Sequence, residues 1–255
     1  MSLRRYALVA TLFALFMPDL LEAQRRRGRT RPTRASREEQ QTQRRVDRHA
    51  FGISFNYAQP TGEFSDYVNQ GFGADGFYRF ALDRYGVVSL RLGGQFLIYG
   101  NEDRRLPLSS TIGNLILVDV ETSNNILNFG GGLELAIPTP AVRPYVFGQL
   151  GSGYFFTQSA VEGSSDTFEF ARTTNHHDWV FSKQVGGGLQ IPLGRSRRGT
   201  GTMLDLGATY NLNGQANYLR EGSIEEVAPG QYTFNPIRSE ANLVTWRLGL
   251  AFSFR

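Results

Sequence analysis

Cysteine is absent from the 255 residues. That excludes a disulfide-stapled mini-domain, a thiolate metal site, a cysteine nucleophile and a lipid-modified N-terminal cysteine. Long hydrophobic runs are scarce as well, and the mean hydropathy is −0.31. A multi-helix membrane protein is therefore excluded, because each helical span needs ~20 mostly apolar residues. The formal charge of +4 does not describe the body of the chain either. Residues 1–23 sum to zero, residues 24–48 carry ten arginines against three acids, and residues 49–255 hold 15 basic and 18 acidic side chains. One short segment creates the basic balance, and the rest is mildly acidic. The length suits one or two ordinary domains.

What is present begins with an export signal. Arg4 and Arg5 precede the apolar run Tyr6–Met17, Pro18 breaks it, and Leu21-Glu22-Ala23 ends it on a small residue. That order reads as a secretory signal peptide over residues 1–23. Twelve residues reach only ~18 Å as a helix, too short to anchor in a ~30 Å bilayer core. Residues 24–48 follow as an Arg-rich leader with one aliphatic side chain beyond alanine, Val46. Such a segment cannot bury enough apolar surface to offset its ordering entropy, so disorder is expected, with a short polar helix over Thr33–Arg45 as a variant. Its arginines suit an anionic component of the cell envelope. Nucleic acid is not expected as a partner, because no aromatic side chains interleave with them.

From His49 the chain alternates with period two, which in a strand separates two faces. Val244, Trp246, Leu248, Leu250, Phe252 and Phe254 share one face of the last segment, and Thr245, Arg247, Gly249, Ala251 and Ser253 share the other. The same split recurs over 88–98, 127–137 and 204–212. Four further strands are expected at Phe51–Tyr57, Phe72–Leu82, Tyr145–Phe156 and Trp179–Ile191, making eight. Over Tyr145–Phe156 both faces carry aromatics, and Gln149 alone suggests the parity. Short connections rich in turn formers (Asp83–Gly86, Pro138–Arg143, Pro192–Thr202) alternate with long ones (Gln59–Gln70, Gly100–Ser123, Thr157–Asp178, Asn213–Ala241). The echo of Gly130-Gly131-Gly132-Leu133-Glu134 in Gly186-Gly187-Gly188-Leu189-Gln190 marks a hairpin repeat. The fold class this implies is all-β: an eight-stranded antiparallel up-and-down transmembrane β-barrel over residues 49–255.

Alternation alone does not say which face looks outward, since a lipocalin-like soluble barrel would show it with the apolar face inside. Composition favours apolar outward. The other face is dominated by Gly, Ser, Asn, Gln and Thr, and its charges balance: Asp75, Glu134 and Asp205 against Arg79, Arg91 and Arg247. Balanced ions suit a filled lumen, where a charge is tolerated only when paired. Tyr57, Tyr99, Tyr145, Trp179, Phe252 and Phe254 near strand ends are expected in interfacial girdles. Lys183 falls on the outward face, where its stem can snorkel.

On this signal peptide, these eight segments, the turn asymmetry and the final strand Val244–Phe254, residues 49–255 resemble the small outer-membrane β-barrel domains of OmpA/OmpX type. The resemblance implies contact with outer-membrane lipid and lipopolysaccharide, and reading of the C-terminal strand by the barrel-assembly machinery. In the family that strand usually ends on a terminal Phe; here Arg255 follows Phe254.

No catalytic, metal or cofactor site is expected. His176-His177-Asp178, together with Ser182, is the one candidate for acid–base chemistry on lipid or for a weak metal site. No spacing ties a nucleophile to a base, so a solvated loop tip is the preferred reading. The glycine triplets lack the Lys-Ser/Thr of a phosphate loop. Loop acids (Glu162, Asp166, Glu169, Glu221, Glu225, Glu226) are candidates for bridging divalent ions to lipopolysaccharide, with solvated loops preferred. The expectation is a non-enzymatic barrel displaying four loops for structural, adhesive or interaction roles. The alternatives are a lipid-modifying enzyme and a narrow channel or secretion accessory.

Overall fold

The computed structural model describes residues 47–107, 117–139, 141–163, 169–195, 199–220, 222–228 and 231–254. The expected signal peptide and almost all of the leader lie outside the described residues. The strands are β1 (His49–Pro60), β2 (Gly71–Ala81), β3 (Val88–Pro107), β4 (Leu117–Ala136), β5 (Arg143–Gly163), β6 (Glu169–Arg195), β7 (Gly201–Asn213), β8 (Gln215–Tyr218), β9 (Ile224–Ala228), β10 (Gln231–Phe234), β11 (Ile237–Glu240) and β12 (Leu243–Phe254). Strands β1 to β7 pair in order, and β12 closes the ring between β7 and β1. The result is an eight-stranded antiparallel up-and-down barrel. Two small pairs, β8–β11 and β9–β10, lie in the last long connection.

The alternating sequence fixes the register. Phe51, Ile53, Phe55 and Tyr57 point outward and are exposed, while Ala50, Ser54, Asn56 and Ala58 between them are buried inside. A slip of one residue would send Asn56 and Arg247 outward and the aromatics inward, so the pattern resists it. At β5, Gln149, Tyr145 and Phe147 face the lumen and Val146 and Leu150 face out, which resolves the parity.

Outward aromatics form two levels. Trp246, Tyr57 and Phe72 are paired across β12, β1 and β2, and so are Phe254, His49 and Phe80 nearer the short turns. The two levels lie eight residue steps apart along β2, from Phe72 to Phe80. At ~3.3 Å per residue and a ~40° tilt this is ~20 Å, close to the ~25 Å apolar band of a membrane barrel. Two expected girdle residues belong elsewhere: Tyr99 and Tyr145 are buried inside the barrel.

The short connection Asp83–Gly86 is a turn, as expected. At 82–87, Asp83 Oδ1 accepts from the Val88 amide at 2.8 Å and Oδ2 from the Tyr85 amide at 2.9 Å, while Gly86 takes a positive φ of 72°. The long connections differ from expectation. Residues 100–107 and 117–123 continue β3 and β4 as a paired ladder, as do 157–163 and 169–178 in β5 and β6. Strands of 20 to 27 residues exceed what the apolar belt needs, so β3–β6 project beyond the barrel as a four-stranded sheet. The reason the sequence does not announce them is that neither face of these segments is apolar, leaving no period-two contrast to read. Within Gln59–Gln70 a 3-10 turn, Gly62–Asp66, buries Phe64.

Candidate functional site: a filled lumen beneath a projecting sheet

The lumen is layered. Nearest the short turns is an ionic layer. Glu134, fully buried, accepts from Arg91 at 2.7 Å, lies 2.9 Å from Arg143 and 3.7 Å from Arg79. Three guanidinium groups therefore converge on one carboxylate brought by β4 from between β3 and β5. Arg143 also donates to Gln190 at 2.8 Å. A second group lies above. Arg247 pairs with Asp75 at 3.3 Å and donates to the Tyr145 hydroxyl at 2.9 Å, which donates to Asp205 at 2.8 Å. Asp75, Arg79, Arg91, Glu134, Asp205 and Arg247 thus fall into two clusters, Arg79, Arg91 and Glu134 in the lower one and Asp75, Asp205 and Arg247 in the upper.

Three further residues take part. The sequence pattern puts Arg143 in a turn, Tyr145 in a girdle and Asp47 in the leader, yet all three are buried, and Asp47 accepts from Ser253 at 2.7 Å. With Arg143 and Asp47 included, the lumen charges among the described residues are four of each sign, Asp75 being the one that is only partly buried. The signal for Arg143 was its even spacing from Gln149 on the inward parity; none marked Asp47.

Aromatics and glycines shape this layer. The Arg91 guanidinium lies 3.8 Å from the Phe77 ring centroid and 4.4 Å from that of Phe147, so its faces are covered by π systems while its edge meets Glu134. A Cβ at Gly186 would stand 2.6 Å from the Phe147 ring, and one at Gly207 would stand 2.6 Å from Arg247 Nη2. These glycines of the inner wall leave room for long side chains reaching across, which is the packing logic of a narrow barrel.

A middle layer of amides and hydroxyls follows: Gln95 donates to Thr245 at 3.3 Å, and Asn128 donates to Gln95 at 3.4 Å. Beside it, Asp75, Arg91, Gln95, Gln149, Gln184 and Arg247 line a cavity of about 20 Å³. That space holds about one water molecule and no larger ligand.

Toward the long connections the lumen becomes apolar. Phe64, Leu97, Tyr99, Ile126, Phe155, Tyr218 and Leu243 form one buried cluster. Phe64 packs edge-on against Tyr99, Phe155 and Tyr218 at centroid distances of 5.7, 6.5 and 5.1 Å. Polar small residues were expected throughout the lumen; this hydrophobic plug is a correction. Its strand members were legible as apolar residues on the inward parity, but Phe64 and Tyr218 come from connections with no periodicity.

His176-His177-Asp178 is not a loop tip. These residues lie in β6, where 176 and 178 take the inward parity and 177 the outward one. Asp178 Oδ2 accepts from the Asn217 amide at 2.7 Å and its side chain at 3.0 Å, and His176 Nε2 is 3.0 Å from the Asn217 carbonyl. The cluster pins β8 onto β6. His177 packs near Tyr154 outside, and Ser182 is buried inside the barrel, so the structure does not bring these residues together as an acid–base unit. Among the described residues, no group of three or more His, Asp or Glu is placed to hold a metal ion. Glu162, Glu169, Glu225 and Glu226 lie on strands; Asp166 and Glu221 lie outside the described residues.

The outer wall is the reverse of the lumen. Leu92, Leu133, Leu150, Val185 and Leu248, one on each of five strands, are all at least half exposed. An apolar belt that runs around a closed barrel is far larger than the few hundred Å² a water-facing monomer tolerates. Lys183 is exposed on this wall, with its ammonium 5.9 Å from the Phe181 ring centroid.

No family model and no curated relative matches the sequence. Solved structures with a similar fold include the attachment invasion locus protein Ail of Yersinia pestis, at 13% identity over 81% of this chain and 97% of that one, with a TM-score of 0.41. Neisserial surface protein A is similar at 11% identity, over 81% of this chain and 97% of that one, with a TM-score of 0.43. The N-terminal β-barrel domain of Pseudomonas aeruginosa OprF is similar at 12% identity, over 82% and 99%, with a TM-score of 0.32. At these identities the likeness is one of fold.

Proposed function

We propose that the chain is a non-enzymatic outer-membrane barrel that holds its four-stranded projecting sheet outside the cell for adhesion or another surface interaction. The observation that carries this reading is the division of the strands. Their lower halves form an apolar-walled barrel with a filled lumen, and the upper halves of β3–β6 leave it as a paired sheet. A wall of that kind belongs in hydrocarbon, with its two aromatic levels at the lipid boundaries. Outer-membrane lipid and lipopolysaccharide then surround it, the short turns face the periplasm, and the strand ending at Phe254 presents itself to the assembly machinery. Among the described residues the lumen is filled by side chains, which supports reading the rigid body as a mount with recognition residing in what it displays.

The test has two parts. Membrane fractionation with heat-modifiable migration in detergent should place the chain in the outer membrane as a closed barrel. Replacing residues 100–123 and 158–175 by short turns should then leave insertion and heat-modifiability intact while removing surface binding. Water-soluble protein without detergent, or unchanged binding by the trimmed barrel, would reject the proposal.

A further inference from the structure

We infer that Lys183, with the outer wall of β5 and β6 beneath it, holds one phosphate-bearing lipid of the outer leaflet; this rests on the outer-membrane reading above and assigns a lipid to one place on the wall. The chain contains 26 arginines and a single lysine, Lys183. The cations paired inside the barrel are all arginines, whose planar fork matches a carboxylate. The one compact ammonium, on a flexible four-carbon stem, stands instead exposed on the outside.

Its surroundings are apolar. Register sets Lys183 between Leu150 of β5 and Leu212 of β7, with Phe181 and Val185 beside it on the same face of β6. Among the described residues, the alternation puts no Asp, Glu or Arg on this wall between the two aromatic levels. A cation in such a place draws its counter-charge from the lipid around it.

The depth fits a phosphate. Trp246 pairs with Ala208 on β7, and Lys183 pairs with Leu212, four residue steps nearer the long connections. Those steps raise Lys183 by ~10 Å along the axis, and crossing two strands at a ~40° tilt lowers it by ~6 Å. Lys183 therefore stands ~4 Å above Trp246, at the boundary on the side of the long connections, where the headgroups of the outer leaflet begin.

The wall on either side completes the site. Below Lys183, Gly148 faces Val185 and Gly187 faces Val146. A Cβ at Gly148 would meet nothing within 4 Å, so the wall is low between the side chains of Leu150, Val185 and Leu189, a track along which an acyl chain can lie. Above Lys183, the rings of Trp179 and Tyr154 pack 4.5 Å apart. From the short turns upward the wall thus presents an apolar track, an ammonium and an aromatic pair, the order in which a lipid presents its chain, phosphate and headgroup.

The full-length barrel, first checked as folded by heat-modifiable migration, is titrated in zwitterionic detergent with lipid A, dephosphorylated lipid A and phosphatidylglycerol. Native mass spectrometry counts the lipid retained. The parent should hold one lipid A per barrel, the dephosphorylated form about fivefold more weakly, and phosphatidylglycerol more weakly than lipid A. Lys183→Met removes the charge and should weaken lipid A binding by about fivefold, whereas Arg84→Gln, near the short turns, should leave it unchanged. Gly148→Leu fills the track and should lower lipid A retention while heat-modifiability stays as in the parent. Parental binding by Lys183→Met, or an equal loss in Arg84→Gln, overturns the site. Parental binding by Gly148→Leu overturns the track, equal binding of dephosphorylated lipid A overturns the phosphate contact, and equal binding of phosphatidylglycerol overturns the outer-leaflet assignment. A folded barrel that retains no lipid A rejects this inference alone, while a chain that never reaches the membrane rejects the reading beneath it.

Discussion

Arg247 and Tyr145 meet across the lumen from positions 102 residues apart, with the guanidinium donating to the phenol oxygen at 2.9 Å. Tyr145 passes the polarisation on by donating to Asp205, while Arg247 holds Asp75. One neutral side chain thereby lets a single arginine serve two acids. This economy depends on Gly207, whose missing side chain gives Arg247 its space.

Glu134 should be the most sensitive charge in the molecule. Glu134→Gln leaves Arg79, Arg91 and Arg143 facing a neutral amide in a buried layer. Removing one partner of a buried ion pair costs ~3–5 kcal/mol. Arg104→Ala, which removes a partly exposed pair with Glu102, should cost no more than ~1 kcal/mol. Urea unfolding in detergent or lipid vesicles measures both, and similar losses would contradict the network.

Leu248 tests the outer wall. It is exposed between Phe55 and Leu206, near the middle of β12. Leu248→Arg should cost ~2–4 kcal/mol in a bilayer if the residue sits at its midplane. The same change in a water-facing barrel would be nearly neutral, so the refolding equilibrium into lipid separates the two.

The apolar plug and the ionic layer seal the lumen independently. Phe64→Ala removes an aromatic ring packed on three others and should destabilise by ~3–5 kcal/mol. It should not open a steady conductance in planar bilayers, because Arg91, Glu134 and Arg247 still fill the lower lumen. A stable ion current through the variant would mean the plug alone had been the gate.

Asp83 provides a pH dependence outside the membrane span. Hydrogen bonds from the Val88 and Tyr85 amides stabilise its carboxylate and hold its pKa below the usual range. A depressed carboxyl pKa contributes stability at neutral pH that disappears as pH falls through the carboxylate range. Asp83→Ala should therefore lower thermal stability at pH 7, and the difference from the parent should shrink in acid. A difference that stayed constant down to pH 2 would assign the effect to the turn backbone instead.

Much of the barrel was legible in the sequence because each wall strand has one apolar and one polar face. The charged lumen residues were legible for the same reason: Arg91 and Glu134 interrupt rows of small polar residues on a known parity. What escaped notice lacked that contrast. Residues 100–107 and 169–178 are strands without an apolar face, so they resembled loops. Arg143 follows a proline-rich turn and looked like part of it. Tyr145 and Phe147 stood among outward aromatics of the same strand. Phe64 gave no periodic signal, since its burial is decided by strands far away in the chain.

The seam between β1 and β12 joins His49 to Phe254, whose rings stack 5.5 Å apart, and continues for twelve rungs to Pro60 and Leu243. The cylinder can therefore shut only once every strand from β1 to β12 has been laid down, and until then both margins of the sheet stand unpaired.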